Sequence, residues 1–336
     1  MWRRAALASL LAAGGCAGAP RERFPIGLFN VSDPEHLGRI GEAGFDHVFP
    51  TGSTEQAHKV AMEAGRRGMK VLAAPAVDSK DVNRWPAAAW YLQDEPDVNK
   101  VSPEKLREIA ATVREWDSRP QTFTVGQGSE AGPYGAIGDI FMLDWYPVPH
   151  LALDSVAVEI DKATLLLPKG KPLWFVVQAF DWRDDNRKIG RFPTYQEVRF
   201  MSWLAILHGA KGLFFFRFPK PDGRTLFDEP DHWRAVELVA RELKSFQPVL
   251  ERGAPASLPY VPSNELEAKS WRFGGKQFVL VINRSRTRYF KLADELLKPE
   301  WRLFAEPGAD VKDRLKAADG AWYVKSYQVF IFERPS

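Results

Sequence analysis

Residues 87–97 read AAAWYLQDEPD, an apolar run that ends in two adjacent carboxylic acids and a proline. The run as far as Gln93 is short and rich in aromatic and aliphatic residues, which is typical of a buried β-strand. Pro96 prevents a helix from continuing through this point, because proline has no backbone N–H to donate. Asp94 and Glu95 are therefore predicted to lie at the C-terminal end of a strand.

Apolar runs of the same kind recur along the chain between residues 24 and 218, and helical patterns separate most of them. The other seven are FPIGLFNV, FDHVFP, MKVLAAP, TFTVG, DIFMLDWYP, PLWFVVQAF and KGLFFFRF. Helix starts are marked by residues such as Ser53 and Gln56, which have the spacing of a capping box. Eight strand-and-helix units over residues 24–250 match the size of a (β/α)₈ TIM barrel, typically about 250 residues. A doubly wound open sheet is the alternative, but no glycine fingerprint follows the first strand.

The pattern changes after the last helix of this series. From residue 254 onward, apolar and polar residues alternate with period two, and turn residues such as Gly274 and Gly275 separate the runs. This alternation predicts a small antiparallel β-sandwich domain over residues 254–336, packed on a barrel formed by residues 24–250.

The N-terminus has the layout of an export signal, with Arg3 and Arg4, an apolar run, and small residues before Cys16. Cys16 is the only cysteine, and its surroundings resemble a bacterial lipobox. We therefore predict a lipoprotein signal over residues 1–16, a spacer over 17–23, and an exported protein held at the cell envelope by a lipid on Cys16. An ordinary signal peptide with an incidental cysteine is the alternative.

Charge and composition exclude several classes of function. Without Arg3 and Arg4, 44 of the 46 basic residues remain against 43 acidic residues, so no basic surface for nucleic acid is predicted. No second stretch is apolar enough to span a bilayer, so any membrane contact is predicted to be through the lipid. The six histidines are scattered and no G-x-S-x-G motif occurs, so we predict neither a metal, a cofactor nor a serine nucleophile.

Acids and aromatic residues cluster where the predicted strands end, and in TIM barrels these ends hold the active site. Glycoside cleavage needs one protonated carboxylic acid and one carboxylate, and Asp94 beside Glu95 can raise one pKa by mutual repulsion. Aromatic faces stack on the C–H side of a sugar ring, while Asp, Arg and Gln bind its hydroxyl groups. The predicted substrate-binding residues are Trp90, Tyr91, Trp145, Tyr146, Gln178, Asp181, Trp182 and Arg217.

Two motifs carry a resemblance to a known family. WYLQDEPD at the end of strand four and DWYP at the end of strand six resemble the glycoside hydrolase-type (β/α)₈ barrels, over residues 24–248. GFDHVFP and HGAKGLFFF strengthen the likeness, and a β-sandwich often follows such barrels. In the clan A glycosidases of this type, an Asn-Glu pair closes strand four, which implies that Glu95 is the general acid and that Asp94 occupies the Asn position. Those enzymes place a nucleophilic Glu after strand seven, where this chain has Gln178.

The second catalytic carboxylate is left open among Asp144, Asp181, Glu130 and Asp94, and Asp144 is the first choice because it shares the strand-end layer with Glu95. The leading hypothesis is an exported glycoside hydrolase acting on an oligo- or polysaccharide. The alternative is a carbohydrate-binding lipoprotein without catalytic activity. A third, a barrel acting on phosphorylated substrates, needs a glycine-rich phosphate loop, which the sequence after strand eight does not resemble.

Overall fold

The computed structural model describes residues 23–75, 85–220, 222–261, 266–304 and 322–336. Eight parallel strands pair in chain order, and β8 pairs with β1 to close a barrel. These strands are β1 (Ile26–Val31), β2 (His47–Pro50), β3 (Lys70–Ala73), β4 (Ala87–Asp94), β5 (Gln121–Val125), β6 (Ile140–Asp144), β7 (Leu173–Gln178) and β8 (Leu213–Phe216). The predicted (β/α)₈ barrel is confirmed.

Helices cover the outside of the barrel. In the described part of the chain they are α1 (Leu37–Glu42), α2 (Thr54–Arg66), α3 (Pro103–Trp116), α4 (Ala131–Tyr134), α5 (Ser155–Leu166), α6 (Tyr195–Leu207) and α7 (Pro230–Arg252). The predicted capping box forms at the start of α2, where the backbone N–H of Ser53 donates to Gln56 Oε1 (2.9 Å) and that of Gln56 to Ser53 Oγ (3.3 Å). No described helix has the length and apolarity needed to cross a membrane. The predicted signal and Cys16 lie outside the described residues.

Each barrel strand has two faces that enter different cores, because successive side chains of a strand point to opposite sides. In β4, Ala89 and Tyr91 join a cluster inside the barrel with Phe29, Met142 and other residues from neighbouring strands. Trp90 and Leu92 instead join the larger cluster formed between the strands and the helices. The strand register therefore decides which aromatic residues can reach the barrel mouth.

A second β-structure follows α7 and contains β9 (Ala254–Pro255), β10 (Glu267–Phe273), β11 (Lys276–Ile282), β12 (Phe290–Lys291), β13 (Arg302–Leu303), β14 (Tyr323–Val324) and β15 (Val329–Pro335). Five of these strands form an antiparallel sheet in the order β13-β15-β11-β10-β9, and β12 pairs with β14. Gly274 and Gly275 have φ of 56° and 72°, as the tight turn between β10 and β11 requires.

This sheet is covered on both sides. Alternate residues of β11, such as Phe278 and Leu280, join the cluster of the barrel, whereas Val279 and Val281 join a separate cluster with Trp301 and other residues of the C-terminal region. The predicted fold class, a TIM barrel followed by a β-sandwich-like domain, is confirmed.

A buried ion pair connects the barrel to the C-terminal sheet. The Arg199 guanidinium in α6 donates to both carboxylate oxygens of Glu242 in α7 at 2.7 Å, and to the backbone oxygen of Val329 in β15 at 2.5 Å. The side chains of Arg199 and Glu242 are 5% and 0% exposed. Removing the cation therefore leaves a carboxylate without its partner in the protein interior.

We expect Arg199→Ala to lower the free energy of unfolding by about 3–5 kcal/mol, the usual cost of breaking a buried ion pair from one side. The control is Arg241→Ala, which breaks the exposed pair between Arg241 and Glu237 in α7 and is expected to cost less than about 1 kcal/mol. Urea unfolding of both variants measures the difference. Equal costs would show that Arg199 does not contribute through burial of the pair.

Candidate active site

A cavity of about 200 Å³ opens at the C-terminal ends of the barrel strands. Strands β1, β4, β5, β6, β7 and β8, or the segments that follow them, each contribute to its wall. The lining residues are Phe29, Tyr91, Asp94, Glu95, Thr124, Asp144, Tyr146, Val176, Phe180, Trp182, Asp185, Phe216 and Arg217. Tyr91, Asp94, Glu95, Asp144, Tyr146, Trp182 and Arg217 were predicted from the sequence, and the fold brings them together in this cavity. Their catalytic and binding roles stay predictions.

Glu95 and Asp144 form the acidic centre of the cavity. Burial raises the pKa of Asp144 well above the usual carboxyl range, and the negative charge of Glu95 raises it further, while a hydrogen bond with Tyr146 acts in the opposite direction. The pKa of Glu95 is also raised, first by burial and then by the charges of Asp94 and Asp97, and a hydrogen bond with Asp144 opposes this rise. The two carboxyl groups therefore titrate as a pair that retains a proton above the pH at which an isolated carboxylic acid loses it.

The chain turns sharply where it presents Glu95. Glu95 has φ of 37°, in the left-handed region that residues with side chains rarely adopt. Two hydrogen bonds from Asn99 hold the turn: its backbone N–H donates to the Glu95 oxygen (2.8 Å) and its side chain to the Asp94 oxygen (2.9 Å). The Asp97 carboxylate accepts from the backbone N–H of Gly126 (3.0 Å), which connects the turn to the end of β5. Sequence reasoning missed Asp97 and Asn99, because they act through backbone groups.

Asp94 is oriented by a tyrosine from its own strand. The Tyr91 hydroxyl donates to Asp94 Oδ1 (2.5 Å) and lies 2.9 Å from Thr124 Oγ1. Burial and the adjacent carboxylate of Asp94 raise the pKa of Tyr91 well above its usual value, so the hydroxyl keeps its proton and remains a donor. Tyr91 therefore positions Asp94 at the cavity wall.

We expect Tyr91→Phe to lower kcat about tenfold to a hundredfold, because a hydrogen bond to a charged group contributes about 1.5–3 kcal/mol and each 1.4 kcal/mol is a factor of ten. The measurement is kcat on the best substrate found for the wild type. The control is Tyr134→Phe, which removes the hydrogen bond of a similarly buried tyrosine to the backbone oxygen of Val101, outside the cavity lining. An equal loss in both variants would contradict a specific role of Tyr91.

An ion pair forms another part of the cavity wall. The Arg217 guanidinium, directly after β8, donates to Asp185 Oδ1 (2.7 Å) and lies 5.6 Å and 5.5 Å from the ring centres of Phe180 and Phe216. Asp185 belongs to the 3-10 turn Trp182–Asp185 after β7. Sequence reasoning missed Asp185, although it is the third acid of the DWRDD stretch that follows the seventh strand.

Six aromatic rings in contact line much of the cavity. Tyr91 packs against Phe29 (5.8 Å between ring centres), which packs against Phe216 (6.1 Å). Tyr146 stacks on Phe216 at 5.6 Å with an interplanar angle of 20°, and contacts Phe180 at 5.0 Å. Phe180 in turn lies 4.9 Å from Trp182. The phenylalanines were not predicted as site residues, because an apolar residue in a strand looks the same whether it lines a core or a pocket.

Two tryptophans that were predicted to bind substrate do not line the cavity. Trp90 is fully buried, with its ring centre 5.0 Å from that of Trp116 and the Arg119 guanidinium 4.6 Å from its own ring. Its side chain points to the helices because the adjacent Tyr91 points into the barrel. Trp145 is not among the lining residues, and its indole N–H donates to Ser155 Oγ (2.8 Å).

Two polar residues that were predicted to bind substrate do not line the cavity either. Gln178 is fully buried, and its amide accepts from the backbone N–H of Val148 and donates to the backbone oxygen of the same residue, both at 2.8 Å. Asp181 is 3% exposed and caps the turn after β7, where it accepts from the backbone N–H of Arg183 (2.8 Å) and pairs with its side chain. Both side chains hold the loops that surround the cavity instead of lining it.

No protein-family model matches the sequence, and no curated protein matches it. Solved structures do match: a GH30 endoxylanase from Clostridium papyrosolvens C71 is 12% identical, with 95% of this chain and 98% of that chain covered and a TM-score of 0.54. The barrel fold of this chain is similar to the fold of this endoxylanase. An Anoxybacillus α-amylase is 12% identical, with 93% of this chain and 98% of that chain covered and a TM-score of 0.54. Eubacterium rectale Amy13B is 9% identical, with 94% of this chain and 96% of that chain covered and a TM-score of 0.57. At these identities the likeness concerns the fold alone.

Proposed function

We propose that the chain is an exported, lipid-anchored glycoside hydrolase that acts on an oligo- or polysaccharide, with Glu95 as the general acid. The observation that carries the proposal is the proton-retaining pair of Glu95 and Asp144 in an aromatic-lined cavity at the barrel mouth. A protonated acid is what cleavage of a glycosidic bond needs, and aromatic walls suit a sugar ring. The glycoside hydrolase-type barrel supports the same reading.

In the proposed reaction, Glu95 gives its proton to the glycosidic oxygen as the bond from that oxygen to the anomeric carbon breaks. Water adds to the anomeric carbon, directly or after a covalent intermediate, and the proton that water loses goes to a carboxylate. Glu95 is the more exposed member of the pair, and the buried Asp144 supplies or retains the shared proton.

Three side chains that line the cavity are candidates for the second carboxylate: Asp94, Asp144 and Asp185. Asp144 is the first choice made from the sequence, and Asp94 is an alternative that the sequence also offers. Asp185 is a further candidate, because it brings a carboxylate to the cavity from the strand-seven side, where Gln178 cannot. Asp181 is committed to its turn, and Glu130 does not line the cavity.

Hydrolysis is tested by incubating the purified wild-type protein with a broad panel of oligo- and polysaccharides and measuring released reducing ends. The blank is the double variant Glu95→Gln, Asp144→Asn, which keeps the shape of the cavity without its ionisable pair. We expect release from at least one glycan by the wild type only. No release from any glycan, with binding retained, would replace the proposal with the alternative below.

The alternative is a carbohydrate-binding lipoprotein without catalysis. It is favoured by one observation: the residue that ends β7 is a glutamine whose amide is hydrogen-bonded to the backbone of Val148 and Phe180. This alternative predicts equal glycan binding by the wild type and the double variant, and no product from either.

Export and lipid anchoring rest on the sequence of residues 1–16. The test is expression in a bacterial host with labelled fatty acid, in which we expect label in the wild type and none in Cys16→Ser. An unlabelled wild-type protein found in the soluble fraction contradicts the anchor and leaves the proposed catalysis unaffected.

A further inference from the structure

The size of the cavity bears on how much of a glycan it can hold. Its volume is about 200 Å³, compared with ~150 Å³ for a protein cavity that holds one benzene ring and ~300–1,000 Å³ for pockets that enclose drug-sized ligands. This volume matches one six-membered sugar ring with its hydroxyl groups. A site that cleaves inside a polymer needs ring-sized spaces on both sides of the bond.

The aromatic wall limits the directions in which a bound chain could continue. The six rings from Tyr91 through Phe29, Phe216, Tyr146 and Phe180 to Trp182 follow one another at centre distances of 4.9 to 6.1 Å. Such spacing is ring-to-ring contact, so the wall formed by these residues has no gap through which a further sugar could pass. Trp182 is the half-buried end of the series.

The charge of the cavity bears on the kind of sugar. Of the described residues that line it, Asp94, Glu95, Asp144 and Asp185 are carboxylic acids, and Arg217 is the single cation. Arg217 already pairs with Asp185 at 2.7 Å. A sugar carboxylate or sulfate would have to displace Asp185 and face the other acids, which costs energy in a partly buried site. An uncharged ring meets no such cost.

We propose that the cavity binds one terminal, uncharged pyranose ring, so that the protein releases single sugars from the end of a glycan. This inference rests on the proposed function for the cleavage step, but the binding of one neutral ring does not depend on catalysis. The ring is held between the aromatic wall and the carboxyl groups, and the sugar next to it lies outside the cavity.

The test measures binding to the full-length Glu95→Gln protein by isothermal titration calorimetry. The probes are the methyl glycosides of glucose, galactose, mannose and xylose in both anomeric forms, the corresponding linear trisaccharides, and methyl glucuronide. We expect at least one methyl glycoside to bind, its trisaccharide to bind within about threefold of it, and the glucuronide to bind at least about tenfold more weakly, a difference of ~1.4 kcal/mol.

Three results overturn the inference: a trisaccharide that binds more than about tenfold more tightly than its methyl glycoside, a glucuronide that binds as well as the neutral ring, or no binding by any methyl glycoside. The control Trp145→Phe, added to Glu95→Gln, changes a tryptophan outside the cavity and is expected to leave every affinity unchanged. If this control also loses all binding, the residues that form the binding wall have been identified incorrectly.

Product analysis separates this inference from the proposed function. If the wild type hydrolyses a glycan, oligosaccharides labelled at the reducing end should shorten one sugar at a time, and fragments of middle length at early times contradict the inference. If the wild type hydrolyses nothing while one neutral ring still binds, the proposed hydrolysis fails and the single-ring pocket stands.

Discussion

Replacement of Glu95 by glutamine is expected to lower kcat by about 10²–10⁴-fold, the range that a positioned general acid contributes. Glutamine keeps the size of the side chain and can occupy the same turn, but it has no proton to give to the leaving oxygen. The loss should be largest for glycosides with poor leaving groups such as another sugar. It should be small for nitrophenyl glycosides, whose leaving group departs without protonation. Steady-state kinetics on both kinds of substrate measure the difference.

The control for this variant is Glu130→Gln. Glu130 is the acid of the short turn after β5, and the pKa of its carboxyl is raised by burial and then by the charge of Asp97, yet it does not line the cavity. We expect Glu130→Gln to keep most of the activity. A Glu95→Gln variant that loses equal activity on both kinds of leaving group would remove the assignment of Glu95 as the acid.

The second large effect is expected from Asp144→Asn, in stability as well as in activity. The pKa of Asp144 is raised in the folded protein by burial and by the charge of Glu95, so the folded state holds a proton that the unfolded chain releases near its ordinary carboxyl pKa. Folding stability of the wild type therefore falls as pH rises from the ordinary carboxyl range through the raised pKa. Asparagine cannot ionise, so the variant lacks this fall.

We expect the Asp144→Asn variant to gain stability relative to the wild type as the pH rises above the ordinary carboxyl range, by about 1.4 kcal/mol for each unit of raised pKa, while kcat falls. Urea unfolding at several pH values measures the change. Asp117→Asn is a control of opposite sign, because hydrogen bonds from Arg119 lower the pKa of Asp117 to about 2, so its contribution to stability is present above the ordinary carboxyl range. A constant difference between Asp144→Asn and the wild type at all pH values contradicts the raised pKa.

Much of the fold follows from local sequence. Apolar runs about the length of a strand alternate with amphipathic segments along most of the chain, and the eight strands close into a barrel whose outer face is covered by helices. The capping box of Ser53 and Gln56 was predictable because it depends on residues three positions apart. The antiparallel domain was predictable from its period of two and from Gly274 and Gly275 at a turn. The position of Asp94 and Glu95 at the end of a strand was also predictable, because it depends only on neighbouring residues.

The membership of the site was decided by tertiary structure. Trp90 and Tyr91 are adjacent aromatic residues in the same apolar run, and the sequence predicts both as substrate-binding residues. Because successive side chains of a strand point to opposite sides, Trp90 packs against the helices and Tyr91 lies in the cavity. Gln178 ends a strand as predicted, but its amide is hydrogen-bonded to the backbone of Val148 in the loop after β6. Asp185 reaches the cavity because its turn brings it to Arg217.

Glu95, which is conspicuous in the sequence, shares the cavity with Asp144, an acid distant from it in the chain. By itself the sequence determined that a strand ends at AAAWYLQDEPD and that carboxyl groups stand there, because strand length, proline and alternation are local properties. Only the folded barrel brought Asp144 against Glu95 and buried the pair, and burial next to a second charge is what makes these carboxyl groups retain a proton.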